Sequence, residues 1–191
     1  MISNKIKFKE LKITDAKIIL SWRRKKRISK NQYTNISNSL VLQKEWLINS
    51  FEKKDYYHWL ILFKNKPIGY ICIKDIDFKK KETDWGYYIG SDEHLFLGAF
   101  IPPFFYNWVF KELKINIINS YVFLNNIKVI KLHLYHKYLI VKKFNIIKNN
   151  KKIRCVKMTL KKKNWEFKKY SSFISKFPVN KSKNFRKNLI F

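Results

Sequence analysis

The sequence has few cysteines, glycines and prolines, little negative charge and no long apolar run. Its two cysteines, Cys72 and Cys155, lie in separate strand-like runs without metal-ligand spacing, so we expect no metal site and a reducing, cytoplasmic setting. Lys or Asn interrupts the longest apolar runs, which argues against a membrane span. The opening residues, MISNKIKFKELKI, lack the apolar stretch of a signal peptide. Scarce glycine and proline beside abundant Lys, Asn, Ile, Phe and Tyr are typical of AT-rich coding sequence.

Positive charge is present in large excess. The chain has 42 Lys and Arg against 13 Asp and Glu, a net charge of +29, and residues 142–191 carry 17 basic residues and one acidic residue. Such a charge indicates a nucleic-acid or anionic-membrane partner. AT-rich codon usage also places Lys on solvated surfaces, and we favour this second explanation. The apolar content of 46% and the aromatic content of 17% argue against a globally disordered chain.

The order of apolar patterns along the chain predicts one mixed α+β domain. Strands are expected at 5–11, 56–63, 68–76, 85–90, 115–123, 141–147 and 152–160, and helices at 14–28, 40–51, 104–113 and 125–138. After about residue 162 the pattern weakens into a basic stretch with scattered aromatic residues. We therefore predict a domain over residues 1–162 and a tail over 163–191, which docks on the domain, forms a short helix or is disordered.

The stretch WGYYIGSDEHLFLGAF, residues 85–100, predicts a strand that leads through a short loop into a helix. Alternation places Trp85, Tyr87 and Ile89 on one face of this strand and Tyr88 on the other. The first amides of a helix have no intrahelical partner and lie at the positive end of its dipole. This junction is therefore a candidate phosphate site.

Five stretches, in this order, carry a resemblance to a known family: SWRRKKRI, YTNIS…LQKEWL, KPIGYICIKDID, DWGYYIG and NNIKVIKLH. Over roughly residues 5–160 the chain resembles the GCN5-related N-acetyltransferases (GNAT). It is most similar to the branch that acetylates the sugar nucleotide UDP-4-amino-4,6-dideoxy-N-acetyl-β-L-altrosamine on the way to pseudaminic acid. The resemblance implies a GNAT fold: a mixed, mostly antiparallel sheet of about seven strands flanked by about four helices. It also implies acetyl-CoA as co-substrate.

The resemblance implies a set of cofactor-binding residues: Ile89, Phe96, Leu97, Gly98, Ala99 and Asn126. The family loop is Gln/Arg-x-x-Gly-x-Gly/Ala, whose amides wrap the pyrophosphate of coenzyme A. Aligned on Gly98, its first position is Glu93 and its first glycine is Phe96. Pro102 and Pro103 lack N–H groups, which leaves the amides between about 96 and 101 for the pyrophosphate. Asn126 is also the expected N-cap of the helix that it precedes.

The chemistry implied by the resemblance is direct attack of a neutral amine on the thioester, with a proton donor for the leaving thiolate. The family's tyrosine donor aligns with His133, and Tyr135 is a neighbour that can substitute. An imidazole serves as an acid near pH 7, yet His133 is equally compatible with an ordinary helix-face residue. The apolar positions of this helix predict its buried stripe: Ile127, Ile130, Leu134 and Tyr138.

The resemblance also implies a set of substrate-binding residues: Arg23, Tyr33, Gln43, Trp46 and Tyr88. Two interpretations are open for Arg23, Tyr33 and Trp46. Arg23 either pairs with a substrate phosphate or belongs to a solvated basic run. Tyr33 and Trp46 either pack against the sugar or uracil of the substrate or belong to the core. Tyr88 is expected to line the cleft. The predicted function is acetyl transfer to an amino-sugar nucleotide. The alternatives are acetylation of a protein N-terminus or ribosomal protein, and a catalytically silent domain that binds nucleic acid through its basic surface.

Overall fold

A computed structural model describes residues 2–35, 37–174 and 177–178. Its strands are β1 (Ile6–Glu10), β2 (Tyr57–Phe63), β3 (Lys66–Asp77), β4 (Glu82–Ile89), β5 (Ile117–Phe123), β6 (Leu139–Lys148) and β7 (Lys151–Lys161). Its α-helices are α1 (Ala16–Arg23), α2 (Lys26–Ser29), α3 (Leu40–Phe51), α4 (Ile101–Lys111) and α5 (Ile127–Tyr135). Over the described ranges, no helix is long and apolar enough to cross a membrane, and no group of His, Cys, Asp and Glu is suited to hold a metal ion.

The first predicted helix, 14–28, is interrupted where basic residues turn toward the sheet. Lys25 adopts an extended backbone (ψ 126°) between α1 and α2. The turn brings Arg27 to the end of β4, where its Nη1 donates to the Ile89 C=O at 2.7 Å. Both Lys25 and Arg27 also pair with Asp92, at 2.5 and 2.6 Å. The helix therefore ends where its basic residues gain partners at the end of β4.

The sheet is mixed and mostly antiparallel, as predicted, with the strand order β1-β2-β3-β4-β5-β7-β6. Every adjacent pair is antiparallel except β4 and β5, which run parallel. Parallel neighbours need a crossover connection, and α4 lies within that connection. The predicted α+β fold, with a sheet of seven strands, is confirmed. Among the residues that the structure describes, the α-helices number five, because the first predicted helix is split.

Helices cover both faces of the sheet. On one face, α1 and α3 contribute Trp22 and Leu47 to a cluster with Tyr70 of β3. On the other face, α4 packs Phe105 against Trp85 of β4, with ring centroids 4.8 Å apart. Trp85 faces α4 and Tyr88 faces the opposite cluster, as the alternation in β4 predicted. The strand that leads into the candidate phosphate site is thus packed on both sides.

The hydrophobic core extends past residue 162, where the sequence predicted the domain to end. Trp165, Tyr170 and Phe177 are buried in the same cluster as α4. The buried Asn107 of α4 accepts a hydrogen bond from Trp165 Nε1 at 2.8 Å and donates to the C=O groups of Tyr170 and Phe173, both at 2.9 Å. The described part of the predicted tail is therefore packed against α4. Residues 175–176 and 179–191 of that tail lie outside the described residues.

Helix α5 buries a different stripe from the one that its apolar residues predict. Ile130 and Tyr138 are buried as expected, but Ile127 and Leu134 are 51% and 46% exposed, and His133 is buried instead. His133 Nε2 lies 2.9 Å from the hydroxyl of Ser120 on β5. A polar ring that has a hydrogen-bond partner is buried at much lower cost than an unpartnered one. Apolarity alone therefore does not identify the packed face of this helix.

Candidate active site

Strands β4 and β5 are paired at one end only. Their ladder has three residue pairs, from Glu82 with Ile117 to Asp84 with Asn119. Beyond these pairs β4 continues beside β3, and β5 continues beside β7. The sheet is therefore open between residues 85–89 and residues 120–123. This opening is called the β4–β5 gap below.

Backbone hydrogen-bonding groups of β4 face the β4–β5 gap. Gly90 N–H donates to the Ile68 C=O at 2.7 Å, and antiparallel partners alternate between hydrogen-bonded and non-hydrogen-bonded pairs. Because Gly90 forms a hydrogen-bonded pair with Ile68, Ile89 and Tyr87 form non-hydrogen-bonded pairs with β3. Their N–H and C=O groups therefore point away from β3, toward the gap. The hydrogen bond from Arg27 to the Ile89 C=O agrees with this direction. An extended ligand that carries amide groups can pair with such an edge, as an added strand does.

The predicted phosphate-binding loop is folded as a 3-10 helix over Leu95–Phe100, directly before α4. Of the predicted cofactor residues on it, Leu97 is buried, Gly98 is half-buried, and Phe96 and Ala99 are exposed. The side chain of Leu97 belongs to the core, so only its backbone is suited to a ligand contact. The exposed segment around Gly98 and Ala99 is the part of the loop that a ligand can reach.

Gly98 leaves open space, but the amides near it are few. A Cβ built at Gly98 would meet only Ile89 Cγ1, at 3.7 Å, which is an ordinary contact distance. Ile101 N–H already donates to the Gly98 C=O. Pro102 and Pro103 follow in the first turn of α4 and have no N–H. The helix start therefore offers an anion fewer amides than helix starts usually do.

Asn126 occupies the N-cap position of α5, yet its side chain makes no capping hydrogen bond. Its C=O accepts the N–H groups of Val129 and Ile130, at 3.1 and 3.2 Å. The half-buried side-chain amide has no hydrogen-bond partner in the described part of the chain. It is therefore available to a ligand just beyond the end of β5.

His133 lies beside the closed end of the β4–β5 gap. Its ring centroid is 6.0 Å from that of Trp85 and 4.5 Å from that of Tyr138. Burial, with a smaller contribution from His136, lowers the pKa of His133 to about 3. The imidazole is therefore uncharged at neutral pH, and its Nδ1 has no hydrogen-bond partner among the described residues. A neutral, solvent-excluded ring is better suited to donate a hydrogen bond than to donate a proton.

Tyr135, the second predicted catalytic residue, has a different environment from His133. Its side chain is 58% exposed. Lys169 Nζ lies 4.5 Å from the centroid of its ring, and hydrogen bonding to Lys169 lowers the pKa of the phenol. The structure thus places one predicted catalytic side chain in the core and the other at the surface, against the C-terminal segment.

Predicted substrate residues meet on the face covered by α1 and α3: Arg23, Gln43, Trp46 and Tyr88. Arg23 is held by neutral oxygens, because its Nε, Nη1 and Nη2 donate to Gln32 Oε1, Gln43 Oε1 and Thr34 Oγ1, each at 3.1 Å. Its guanidinium carbon lies 5.2 Å from the centroid of the Trp46 ring. No carboxylate of the described residues forms an ion pair with Arg23, so its charge is not compensated within that part of the chain.

The tyrosines predicted to bind substrate lie in two places. Tyr88 stacks on Tyr70 at 5.3 Å, and its buried hydroxyl has no hydrogen-bond partner within the described ranges. Burial raises the pKa of Tyr88, and the nearby charge of Arg23 opposes that rise. Tyr33 lies apart from this cluster, with its ring 4.9 Å from that of Phe123 at the end of β5. The structure therefore packs Tyr33 against the end of β5.

A cleft of about 470 Å³ opens beside Arg23, next to the turn that joins β6 to β7. This turn is held to the end of α2 by Lys148 Nζ, which donates to the C=O groups of Ser29 and Gln32 at 3.2 and 2.6 Å. Sequence reasoning missed three basic residues that line the cleft: Arg24, Lys30 and Lys148. No spacing in the sequence distinguishes them among the 42 basic residues.

The chain shares its fold with known N-acetyltransferases. No protein-family model and no curated protein matches the sequence. The spermidine N-acetyltransferase from Vibrio cholerae, solved with CoA and spermine, matches with a TM-score of 0.76 and 14% identity, covering 84% of this chain and 98% of that one. A dodecameric structure of the enzyme from the same organism gives a TM-score of 0.70 and 13% identity, covering 83% and 94%. At such identities the likeness establishes the fold.

Proposed function

We propose that this chain is an acetyl-CoA-dependent N-acetyltransferase whose acceptor is the amino group of an amino-sugar nucleotide. The observation that carries the proposal is the β4–β5 gap, where backbone groups of Tyr87 and Ile89 face an opening next to the loop that holds Gly98. An extended arm that bears amides and ends in a thioester fits such an edge. The fold shared with known N-acetyltransferases supports the acetyl-transfer part of the proposal.

Bound acetyl-CoA would supply an acetyl group activated as a thioester. In this proposal the N–H and C=O of Tyr87 and the N–H of Ile89 hold the pantetheine arm, since the Ile89 C=O accepts from Arg27. The segment at Gly98 and Ala99 receives the pyrophosphate. The free side-chain amide of Asn126 contacts the arm beyond β5. Because few amides remain at the start of α4, we expect weaker cofactor binding than a loop with the full glycine pattern provides.

Charge on the acceptor side favours an anionic acceptor over a polyamine. Arg23 donates three of its five N–H groups to neutral oxygens, which leaves one on each Nη for an anion. A phosphate oxygen pair suits this fork geometry. Spermidine and spermine are polycations, and the lining of the cleft within the described part includes no carboxylate to hold them. Tyr88 presents its unpartnered hydroxyl near the same guanidinium.

Transfer by direct attack requires a neutral amine, a donor for the developing oxyanion and a proton for the thiolate. We assign His133 to the oxyanion as a neutral donor. When Nε2 accepts from the Ser120 hydroxyl, the proton resides on Nδ1, the ring nitrogen without a described partner. Tyr135 remains the candidate proton source on the family resemblance; its exposed phenol lies against Lys169, and hydrogen bonding to Lys169 lowers its pKa.

A thermal-shift experiment with acetyl-CoA tests the cofactor part of the proposal. A ligand at a hundredfold excess over its Kd stabilises the folded state by about 2.7 kcal/mol, which for a chain of this length raises Tm by roughly 5–11 °C. Gly98→Trp fills the open space at the loop and should abolish the shift, whereas the matched control Gly98→Ala adds only an ordinary contact. A wild-type Tm that millimolar acetyl-CoA leaves unchanged would contradict the proposal.

Polyamine acetylation is the second candidate function, because both structural relatives named above are spermidine N-acetyltransferases. It predicts acetyl transfer to spermidine in preference to an amino-sugar nucleotide. Acetylation of a protein N-terminus predicts transfer to peptides instead. A silent nucleic-acid-binding domain predicts no response to acetyl-CoA at all.

A further inference from the structure

The cleft beside Arg23 has an unusual lining for its size. Its volume of about 470 Å³ lies within the range of small-molecule sites, about 300–1,000 Å³. Such sites are mostly lined by apolar side chains. Here the described lining consists of four basic and five neutral polar residues, with neither apolar nor acidic ones. A ligand for this cleft should therefore be polar and negatively charged.

The basic residues of the cleft make no ion pair with a carboxylate within the described ranges, whereas two basic residues next to them do. Lys25 and Arg27 share Asp92, whereas the side chains of Arg24 and Lys30 make no ion pair or hydrogen bond within the described ranges. Unpaired cations are ordinary in a chain of net charge +29. Four basic residues without a carboxylate partner around one concave surface are different, because a cleft lined by one sign of charge concentrates the electrostatic potential.

Two of the four cations are fixed in position by neutral groups. Arg23 is held by three side-chain oxygens and keeps two N–H groups free. Lys148 Nζ donates to two backbone C=O groups at the end of α2, which anchors the β6–β7 turn across the cleft. A contact of 2.6 Å between the side chains of Asn35 and Asn149 supports the same arrangement. Charged donors therefore stand on two sides of the cleft.

We propose that this cleft is a phosphate-binding site that takes the diphosphate of a nucleotide. Arg23 contacts one phosphate through its free N–H pair, and Arg24, Lys30 and Lys148 neutralise the remaining charge. Charge-assisted hydrogen bonds from guanidinium and ammonium groups to phosphate oxygens are among the strongest in proteins. The assignment of this diphosphate to the acceptor rests on the proposed function; the phosphate site itself does not.

Isothermal titration calorimetry on the full chain, without acetyl-CoA, tests the site with inorganic pyrophosphate and with uridine diphosphate. The test variant is Arg24→Gln with Lys30→Gln, two exposed residues in the cleft. The control is Lys17→Gln with Lys26→Gln, two exposed residues outside the cleft. Both variants lose the same net charge. We expect the test variant to bind either ligand about tenfold more weakly or worse, and the control to change by less than about twofold.

Several results would overturn the site. Equal losses in the two variants would show diffuse electrostatic attraction, and tighter binding of a single-stranded oligonucleotide than of uridine diphosphate would indicate a nucleic-acid surface. Loss of the acetyl-CoA thermal shift in the test variant would retain the phosphate site but overturn its assignment to the acceptor, because the bound phosphates would then be those of the cofactor. The two proposals fail separately. If the wild type binds pyrophosphate but transfers no acetyl group, the phosphate site stands and the proposed enzyme activity is wrong. If the wild type transfers acetyl groups but the test variant binds pyrophosphate as tightly as the wild type, the phosphate site is wrong.

Discussion

Replacing Asn107 by leucine tests whether the C-terminal segment is an integral part of the domain. Asn107 is 7% exposed, and its side-chain amide joins α4 to Trp165, Tyr170 and Phe173 through three hydrogen bonds of 2.8–2.9 Å. Leucine has a similar shape but no polar atom. The substitution would leave the Trp165 N–H and two backbone carbonyls without these partners.

The expected loss of stability is large. Each buried polar group left without a partner costs about 1–3 kcal/mol. Counting the Trp165 N–H and one carbonyl, Asn107→Leu should lower the free energy of unfolding by about 2–6 kcal/mol. For a chain of this length each kcal/mol lowers Tm by about 2–4 °C, so a loss of about 3 kcal/mol lowers Tm by roughly 6–12 °C.

Urea unfolding followed by circular dichroism and tryptophan fluorescence measures this loss. Asn145→Ala is the matched control, because Asn145 is exposed on the edge strand β6 and makes no side-chain hydrogen bond within the described part. Trp165→Ala should itself cost about 3–5 kcal/mol. The double substitution with Asn107→Leu should cost less than the sum of the single ones, because both remove one shared hydrogen bond. An Asn107→Leu midpoint equal to that of Asn145→Ala would refute the packing of this segment.

Acid should destabilise the fold, because burial lowers the pKa of His133 to about 3 and that of His136 to about 4. Unfolded histidine binds a proton near pH 6.5, so the contribution of these two histidines should be constant above that pH and fall below it, by about 2 kcal/mol per histidine at pH 5. Burial raises the pKa of Asp84 to about 6, which offsets a smaller part of this loss; equal urea midpoints at pH 7 and 5 would contradict the prediction. Gly90→Ala should destabilise strongly, since its Cβ would lie 2.0 Å from the Trp22 ring, whereas Gly98→Ala should leave Tm unchanged. His133→Phe should lower turnover by about 100-fold or more at unchanged coenzyme A affinity; wild-type turnover would assign His133 to packing alone.

The sequence predicts most helices and strands because apolar residues recur at regular spacing within each of them. The helix predicted at 40–51 has the observed bounds of α3, and Ser39 caps it through Leu42 N–H at 3.3 Å. Helix α4 starts three residues earlier than predicted, since prolines are tolerated in a first turn. The break between α1 and α2 is not predictable locally, because Asp92 and the end of β4 provide its cause.

The sequence predicts residues of the candidate site only where they are neighbours along the chain or are implied by the family resemblance. The resemblance includes Arg23, Gln43, Trp46 and Tyr88, which the structure brings together. Lys148 is different: it reaches the end of α2 from a turn more than a hundred residues away, and nothing near it in sequence indicates this contact. The position of Lys148 beside α2 is visible only in the tertiary structure, where the β6–β7 turn lies against the end of α2.

Acetyl transfer to acceptors of opposite charge tests the central claim most directly. The purified full chain is incubated with acetyl-CoA and, separately, an amino-sugar nucleotide, the same amino sugar without its nucleotide, and spermidine, and products are identified by mass spectrometry. We predict acetylation of the amino-sugar nucleotide, weaker acetylation of the free amino sugar, and little of spermidine, with Arg23→Gln reducing the preference for the nucleotide. Preferential acetylation of spermidine, or no transfer to any amine, would contradict the account.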